Sequence, residues 1–240
     1  MVKRTGSTLR RAVRLAALLL LAAALVLGAR AFLAANPRHD PWAPLDLRAE
    51  RGWATQVKLS RLSGDTARCH AVLSRSEVAF TALPAIGEGA CLRDDRLTLD
   101  TMRFAPGFPQ MSCPVAAGMV LWLEHDVQRL AQQILGTRVE RVEQLGTYNC
   151  RRMYGDAGAP WSEHATGNAI DIAGFQLADG RRISVLSDWD NGEPAGQFLK
   201  AVRNAACESF GTVLSPDYNA AHADHFHFDQ GRSAMIGACR

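Results

Sequence analysis

The hydrophobic pattern separates an apolar N-terminal run from a longer region with helical and strand-like periods. Residues 15–28 are uninterrupted apolar residues, mainly Leu and Ala, and residues 31–35 continue the run beyond Arg30. A short apolar run behind a basic start is typical of a secretory targeting segment. Because Arg30 can snorkel to a membrane surface, the run is also long enough for an anchor. The pattern therefore predicts a signal peptide or an N-terminal signal anchor over residues 1–35.

The periods beyond residue 65 predict both helices and strands. Residues 114–135 are expected to form a helix, with Pro114 in its first turn and Gly136 ending it. Residues 196–210 have a second apolar face with helical spacing. Alternating patterns predict strands over residues 139–145, 168–175, 182–186, 212–214 and 225–229, with a hairpin turn at Asp179-Gly180. The expected fold is α+β, a small antiparallel sheet with helices packed on one side.

Proline and charge mark the boundary between the apolar run and this region. Residues 36–64 contain Pro37, Pro41 and Pro44 among scattered charges. We interpret them as a linker from the membrane to a domain that covers residues 65–240.

Composition and charge limit the class of protein. The chain is 48% hydrophobic and 21% charged, as expected for a globular domain with a short appendage. Its net charge is +3, but five of the 27 basic residues lie in the first fourteen positions, which leaves 22 against 24 acidic residues. The body of the chain is therefore near neutral, and no nucleic-acid partner is expected.

Six cysteines follow the targeting segment, and their even number favours disulfides in an oxidising compartment. Six cysteines admit fifteen pairings, and the sequence does not choose among them. A cysteine zinc site is disfavoured because no CxxC pair occurs. Pairing in sequence order is our expectation: Cys69 with Cys91, Cys113 with Cys150, and Cys207 with Cys239.

Two segments concentrate residues that can bind a metal. The first, from Ser162 to Asp171, has the form SxHxxGxAxD, and the second, from His222 to His227, has the form HxxHxH; together they hold four of the seven histidines. On a strand, His225 and His227 share one face while the phenylalanines between and after them face the core. Two imidazoles and one carboxylate with a fourth position open is a catalytic zinc arrangement.

This pair of motifs resembles the LAS group of zinc peptidases, which includes D-Ala-D-Ala carboxypeptidases, murein endopeptidases and hedgehog-type domains. A closer resemblance is to the bacterial family named for an extensin-like C-terminal domain. It runs from about Cys69 to the end of the chain, through YxCR at residues 148–151, SEHAxGNAID and HxDHFHxD.

The resemblance implies a role for each residue of the motifs. His164, Asp171 and His227 match the ligands of Zn²⁺, and His225 matches the position of the catalytic base, where many LAS carboxypeptidases have glutamate. His222 matches a residue that hydrogen-bonds the water or the transition state. Arg151 or Arg152 can hold a substrate carboxylate, although a solvated loop charge is an equal alternative for both.

The resemblance and the compartment together imply a function. We expect a periplasmic zinc metallopeptidase, a D,D- or L,D-endopeptidase or carboxypeptidase that cleaves peptidoglycan stems or cross-links. The protein is expected to be a monomer, held at the inner membrane if its N-terminal segment is retained. The alternative is a non-catalytic zinc-containing domain that binds peptidoglycan or a protein of the cell envelope.

Overall fold

The computed structural model describes residues 5–231 and 238–240. Its first element, helix α1, covers Thr5–Ala35. The part from Thr8 to Ala35 is long and apolar enough to cross a membrane, judged by length and composition. The structure therefore has the apolar helix that was predicted at the N-terminus.

The segment predicted to be a linker, residues 36–64, instead packs onto the domain. It contains helix α2 (Thr55–Ser60) and four leucines, Leu45, Leu47, Leu59 and Leu62, that belong to the main hydrophobic core. The backbone of Leu47 donates to Ser76 Oγ at 2.9 Å, and its carbonyl accepts from His125 Nε2 at 2.8 Å. Burial of these leucines favours the packed arrangement over an extended spacer.

The domain follows as a mixture of helices and strands. After α2 the helices are α3 (Thr66–Arg75), α4 (Cys113–Trp122), α5 (Gln128–Leu135), α6 (Val185–Asp188) and α7 (Pro194–Ala206), with a π-helical turn at Leu123–Val127 between α4 and α5. The strands are β1 (Phe80–Leu83), β2 (Arg96–Leu99), β3 (Phe104–Ala105), β4 (Val139–Gly146), β5 (Ala169–Leu177), β6 (Arg182–Ser184), β7 (Thr212–Leu214) and β8 (Phe226–Asp229).

Most predicted elements are present, with shifted ends. The helix predicted over residues 114–135 forms as α4, the π-turn and α5, and Gly136 ends it in the left-handed region at φ 70°. The second helix begins two residues early, because Pro194 occupies its first position, and ends at Ala206. Strand β6 is shorter than predicted, since α6 begins at Val185.

The larger sheet has the strand order β3-β4-β5-β8-β7, and β6 also pairs with β5. Its pairings are antiparallel except that between β3 and β4. The ring of Trp122 from α4 lies against Phe175 and Phe228 of the sheet, and Phe198 from α7 packs edge-on against Phe175. This sheet with helices packed against it confirms the predicted α+β class.

The six cysteines form three disulfides, as predicted, but two of the three expected pairings were wrong. Cys69 pairs with Cys113, because α3 and the start of α4 pack together, and Cys91 pairs with Cys150. The expected pairs Cys69–Cys91 and Cys113–Cys150 were wrong, since sequence order does not reproduce contacts between elements. Cys207–Cys239 was predicted correctly.

Candidate metal centre

Antiparallel pairing between β5 and β8 sets two of the predicted ligands side by side. Asp171 lies directly opposite His227 in the register of these strands. Phe226 and Phe228, which flank His227, are fully buried in the core. Because side chains alternate along a strand, His227 points away from the core, and its cross-strand partner Asp171 shares that face.

A short turn supplies the third predicted ligand. His164 lies in a single 3₁₀ turn, Glu163–Thr166. Ser162 caps this turn, because its Oγ accepts a hydrogen bond from the backbone amide of His164 at 3.3 Å. Gly167 ends the turn at φ 73°, a conformation that favours glycine. The turn therefore holds His164 just before β5 begins.

The three side chains converge on one point. His164 Nε2 lies 3.0 Å from His227 Nδ1 and 3.2 Å from Asp171 Oδ1. His227 Nδ1 lies 3.0 Å from Asp171 Oδ1. Tetrahedral ligands at about 2.0–2.1 Å from a zinc ion lie about 3.3 Å from one another. The observed spacing is close to that expected for a single small cation.

Hydrogen bonds at the outer nitrogens determine which ring atoms face that point. His164 Nδ1 lies 3.2 Å from the carbonyl of Thr147, and His227 Nε2 lies 3.0 Å from Asp229 Oδ2. Both partners are acceptors, so both outer nitrogens donate, and in a neutral imidazole the inner nitrogen then carries a lone pair. Three electron-pair donors therefore meet, which is the arrangement that a divalent cation requires.

The electrostatics of the site agree with this reading. Burial lowers the pKa of His227, but hydrogen bonds with Asp171 and Asp229 outweigh burial and raise it to about 9. Burial likewise raises the pKa of Asp171, while hydrogen bonds from His164 and His227 hold it well below its usual range. The carboxylates thus favour a positive charge here, and a cation and a proton on His227 Nδ1 compete for the same place.

His225 lies at the edge of this cluster. Its Nδ1 donates to Asp224 Oδ1 at 2.7 Å, which leaves Nε2 as the acceptor nitrogen. That Nε2 is 3.7 Å from Asp171 Oδ1, and the His225 side chain is 15% exposed. A proton acceptor therefore stands beside the ligand set and in contact with solvent.

His222 is more deeply placed than His225. Its Nδ1 donates to Asn219 Oδ1 at 2.8 Å, and its ring lies 5.3 Å from that of His225 and 5.9 Å from that of His227. Burial, followed by the nearby charges of His227 and His225, lowers the pKa of His222 to about 4. His222 is therefore neutral at neutral pH, with Nε2 as a hydrogen-bond acceptor.

The comparison with protein families places this arrangement in context. Residues 67–240 match the family described as "Extensin-like protein C-terminus". The chain belongs to this family. No curated protein and no solved structure matches it. The extensin-like region begins within α3 and includes every residue of the cluster described above, while α1 and α2 precede it.

The two arginines predicted to bind substrate, Arg151 and Arg152, differ in their side-chain contacts. Arg152 donates to the carbonyl of Ala159 at 2.6 Å, and its guanidinium lies over the ring of Trp161. These contacts give Arg152 a role in shaping its own loop. Arg151 is exposed, and its side chain makes no hydrogen bond or ion pair with the described residues. Of the two, Arg151 is the better candidate for a substrate contact.

Several residues that position the predicted ligands and His222 were not predicted from the sequence. Asp229 bonds to His227, the Thr147 carbonyl bonds to His164, and Asn219 bonds to His222. Arg93 extends this support, because its Nη2 and the hydroxyl of Thr147 donate to the same carbonyl, that of Gln110. The sequence offered a signal for Asp229 alone, because the strand period places it on the same face as His227.

Proposed function

We propose that this protein is a zinc-dependent hydrolase that cleaves amide bonds in peptide stems or cross-links of peptidoglycan. The observation that carries the proposal is the convergence of His164 Nε2, His227 Nδ1 and Asp171 Oδ1, each with a lone pair directed to one point. In the metal-free protein a proton on His227 Nδ1 must separate these buried acceptors, because acceptors in contact without a donor are unfavourable. A divalent cation can displace that proton and use all three lone pairs.

The chain's own residues have distinct roles in such a reaction. Zinc, when held by His164, Asp171 and His227, supplies Lewis-acid activation of a water molecule and of the scissile carbonyl. His225 Nε2 accepts the proton of the attacking water and returns it to the leaving amine. Asp224, which accepts from His225 Nδ1, keeps the ring in the tautomer that leaves Nε2 free for this transfer. Neutral His222 accepts a hydrogen bond from the reacting groups, and Arg151 binds a substrate carboxylate.

The substrate and the compartment are inferred from the resemblance to LAS-type peptidases. Three disulfides favour an oxidising compartment, and the apolar helix α1 provides a means of export or anchoring. We therefore assign the domain to the periplasm, where peptidoglycan is the polymer rich in amide bonds that such a site can reach.

The test is to incubate the full, disulfide-intact chain with muropeptides, with and without a chelator, and to identify the products by mass. We expect new amine and carboxylate ends in the zinc-loaded sample and none after chelation. A zinc-replete protein that leaves every muropeptide intact contradicts the hydrolase proposal and favours a zinc-containing binding domain.

Three variants separate metal binding from proton transfer. His164→Ala and Asp171→Ala should each lose the metal, measured by elemental analysis after dialysis. His225→Ala should retain the metal and lose at least a hundredfold in turnover, as expected for a general base. Equal metal loss in all three would mean that His225 is a ligand and not the base.

A further inference from the structure

A basic groove lies on the part of the domain that follows α1. Residues 41–45 form one wall and α2 and α3 form the other, around a cavity of about 380 Å³. Trp42 lines the first wall and is 78% exposed. Arg68 and Arg75, seven positions apart on α3, share one helix face of the second wall. We call this cavity, defined by Trp42, Pro44, Arg61, Arg68 and Arg75, the basic groove.

The positive charge of the basic groove is only partly compensated. Lys58, Arg61, Arg68 and Arg75 line it, and the described lining residues include no carboxylate. Lys58 Nζ donates to the carbonyl of Pro37 at 2.6 Å, and Arg61 donates to that of Pro41. Backbone carbonyls orient these two cations without neutralising them, while the nearby charge of Asp40 partly compensates Lys58. Arg68 has an acidic neighbour, Asp65 at 3.2 Å, in an exposed pair that is weakened by solvent.

The basic groove lies close to the end of the apolar helix. Pro37, which accepts from Lys58, is two residues beyond Ala35, so it lies within about 7 Å of the helix end. The first residue after the helix is fixed as well, because the Asn36 amide donates to the Phe32 carbonyl at 2.9 Å. If α1 enters a membrane, Lys58 and the first wall of the groove lie near its surface.

A second exposed tryptophan lies beside the same junction. Trp53 is 72% exposed, and its ring packs at 5.5 Å against His39, which in turn stacks on Phe32 of α1 at 6.0 Å. Tryptophan concentrates at the headgroup level of membranes, where its apolar ring and polar N–H are both accommodated. Trp42 and Trp53 therefore give the region around the helix end the composition of a membrane interface.

We propose that the basic groove binds the net negative headgroup of an anionic phospholipid through its phosphate, in the leaflet at which α1 ends, and so holds the domain against the membrane surface. Arginine guanidinium groups bind phosphate oxygens in pairs. The apolar wall of Trp42 and Pro44 contacts the glycerol and upper acyl region. An anionic wall fragment is the competing ligand, and the distance to α1 favours the lipid.

The test titrates the full chain, in a neutral detergent, with short-chain phosphatidylglycerol or phosphatidylcholine while tryptophan emission is recorded. We expect a saturable change with phosphatidylglycerol and none with phosphatidylcholine. The change should be lost in Trp42→Phe and retained in Trp161→Phe, which alters an exposed tryptophan outside the groove. Arg61→Gln and Arg68→Gln should each weaken binding about fivefold.

Exposed arginines outside the basic groove supply the matched control. Arg138→Gln and Arg141→Gln remove the same charge elsewhere and should leave the phosphatidylglycerol affinity unchanged. An equal response to both lipids overturns the proposal, as does equal weakening by the control variants. A response to anionic muropeptides with none to phosphatidylglycerol also overturns it and assigns the groove to the cell wall.

Discussion

Asp229 provides the sharpest test of the candidate metal centre, because its two carboxylate oxygens accept hydrogen bonds from different donors. Oδ2 accepts from His227 Nε2 at 3.0 Å, and Oδ1 accepts from the backbone amide of Gly231 at 2.9 Å. Asp229→Asn preserves the size of the side chain but leaves one acceptor oxygen. If that oxygen stays with Gly231, an NH₂ group faces His227 Nε2 and favours the tautomer with a proton on Nδ1.

The size of the effect follows from this change of tautomer. A proton on His227 Nδ1 blocks the atom that lies 3.0 Å from both Asp171 Oδ1 and His164 Nε2. Loss of such an outer partner of a metal-binding histidine reduces metal affinity by about 10–100-fold, or about 1.4–2.7 kcal/mol. Because Asp229 is buried, solvent does not replace the lost acceptor, and we expect the upper part of this range.

Competition with a chromophoric chelator measures the zinc affinity of wild type and Asp229→Asn at one pH. Asp224→Asn is the matched control, since it changes a carboxylate bonded to His225 and not to a predicted ligand. We expect Asp224→Asn to keep the metal affinity within about twofold while it lowers turnover. Wild-type affinity in Asp229→Asn, or an equal loss in Asp224→Asn, would refute the assignment of His227 Nδ1 as a ligand atom.

Three further predictions concern pH, disulfides and packing. Because the pKa of metal-free His227 is raised to about 9, its charged form contributes stability that is complete below about pH 6.5 and is lost as the pH rises through 9. The Tm of the metal-free protein should therefore fall over that range, more than in His227→Gln; an equal fall in both excludes His227 as the cause. Replacing both Cys91 and Cys150 by serine should lower the free energy of unfolding by about 4 kcal/mol, from their separation of 59 residues, measured by urea denaturation. A peptide map of the oxidised protein that shows Cys69 joined to Cys91 would contradict the pairing itself. Gly118→Ala should destabilise α4 by about 1–2 kcal/mol even though alanine favours helices, because the new methyl group meets the Ser209 carbonyl and the Gln230 amide at 2.8 Å; a rise in stability would show that these neighbours move aside.

The sequence predicted the local features of the fold well. The strand period placed Phe226 and Phe228 in the core and His227 on the opposite face, as the structure has them. Pro114 and Gly136 correctly marked the start of α4 and the end of α5, which the sequence predicted as one helix. Both kinds of signal depend on residues close together in the chain, and a single sequence reports them directly.

Features that depend on contacts between distant elements were harder to predict. The pairing of Cys69 with Cys113 depends on how α3 packs against α4, which no local pattern specifies. The support that Thr147 gives to His164 comes from a backbone carbonyl and therefore has no signature in residue type. Leu45 and Leu47 were hidden among prolines and charges, which are also typical of linkers.

The packing of residues 36–64 also affects how the domain should be produced without α1. The family match begins at residue 67, which invites a truncated protein that starts there. Such a protein lacks Leu45, Leu47, Leu59 and Leu62, which belong to the same hydrophobic core as the buried residues of α3 and α4. It should aggregate or misfold for reasons unrelated to the metal centre. A version that starts directly after α1 keeps the whole core, so inactivity measured on it can be attributed to the site.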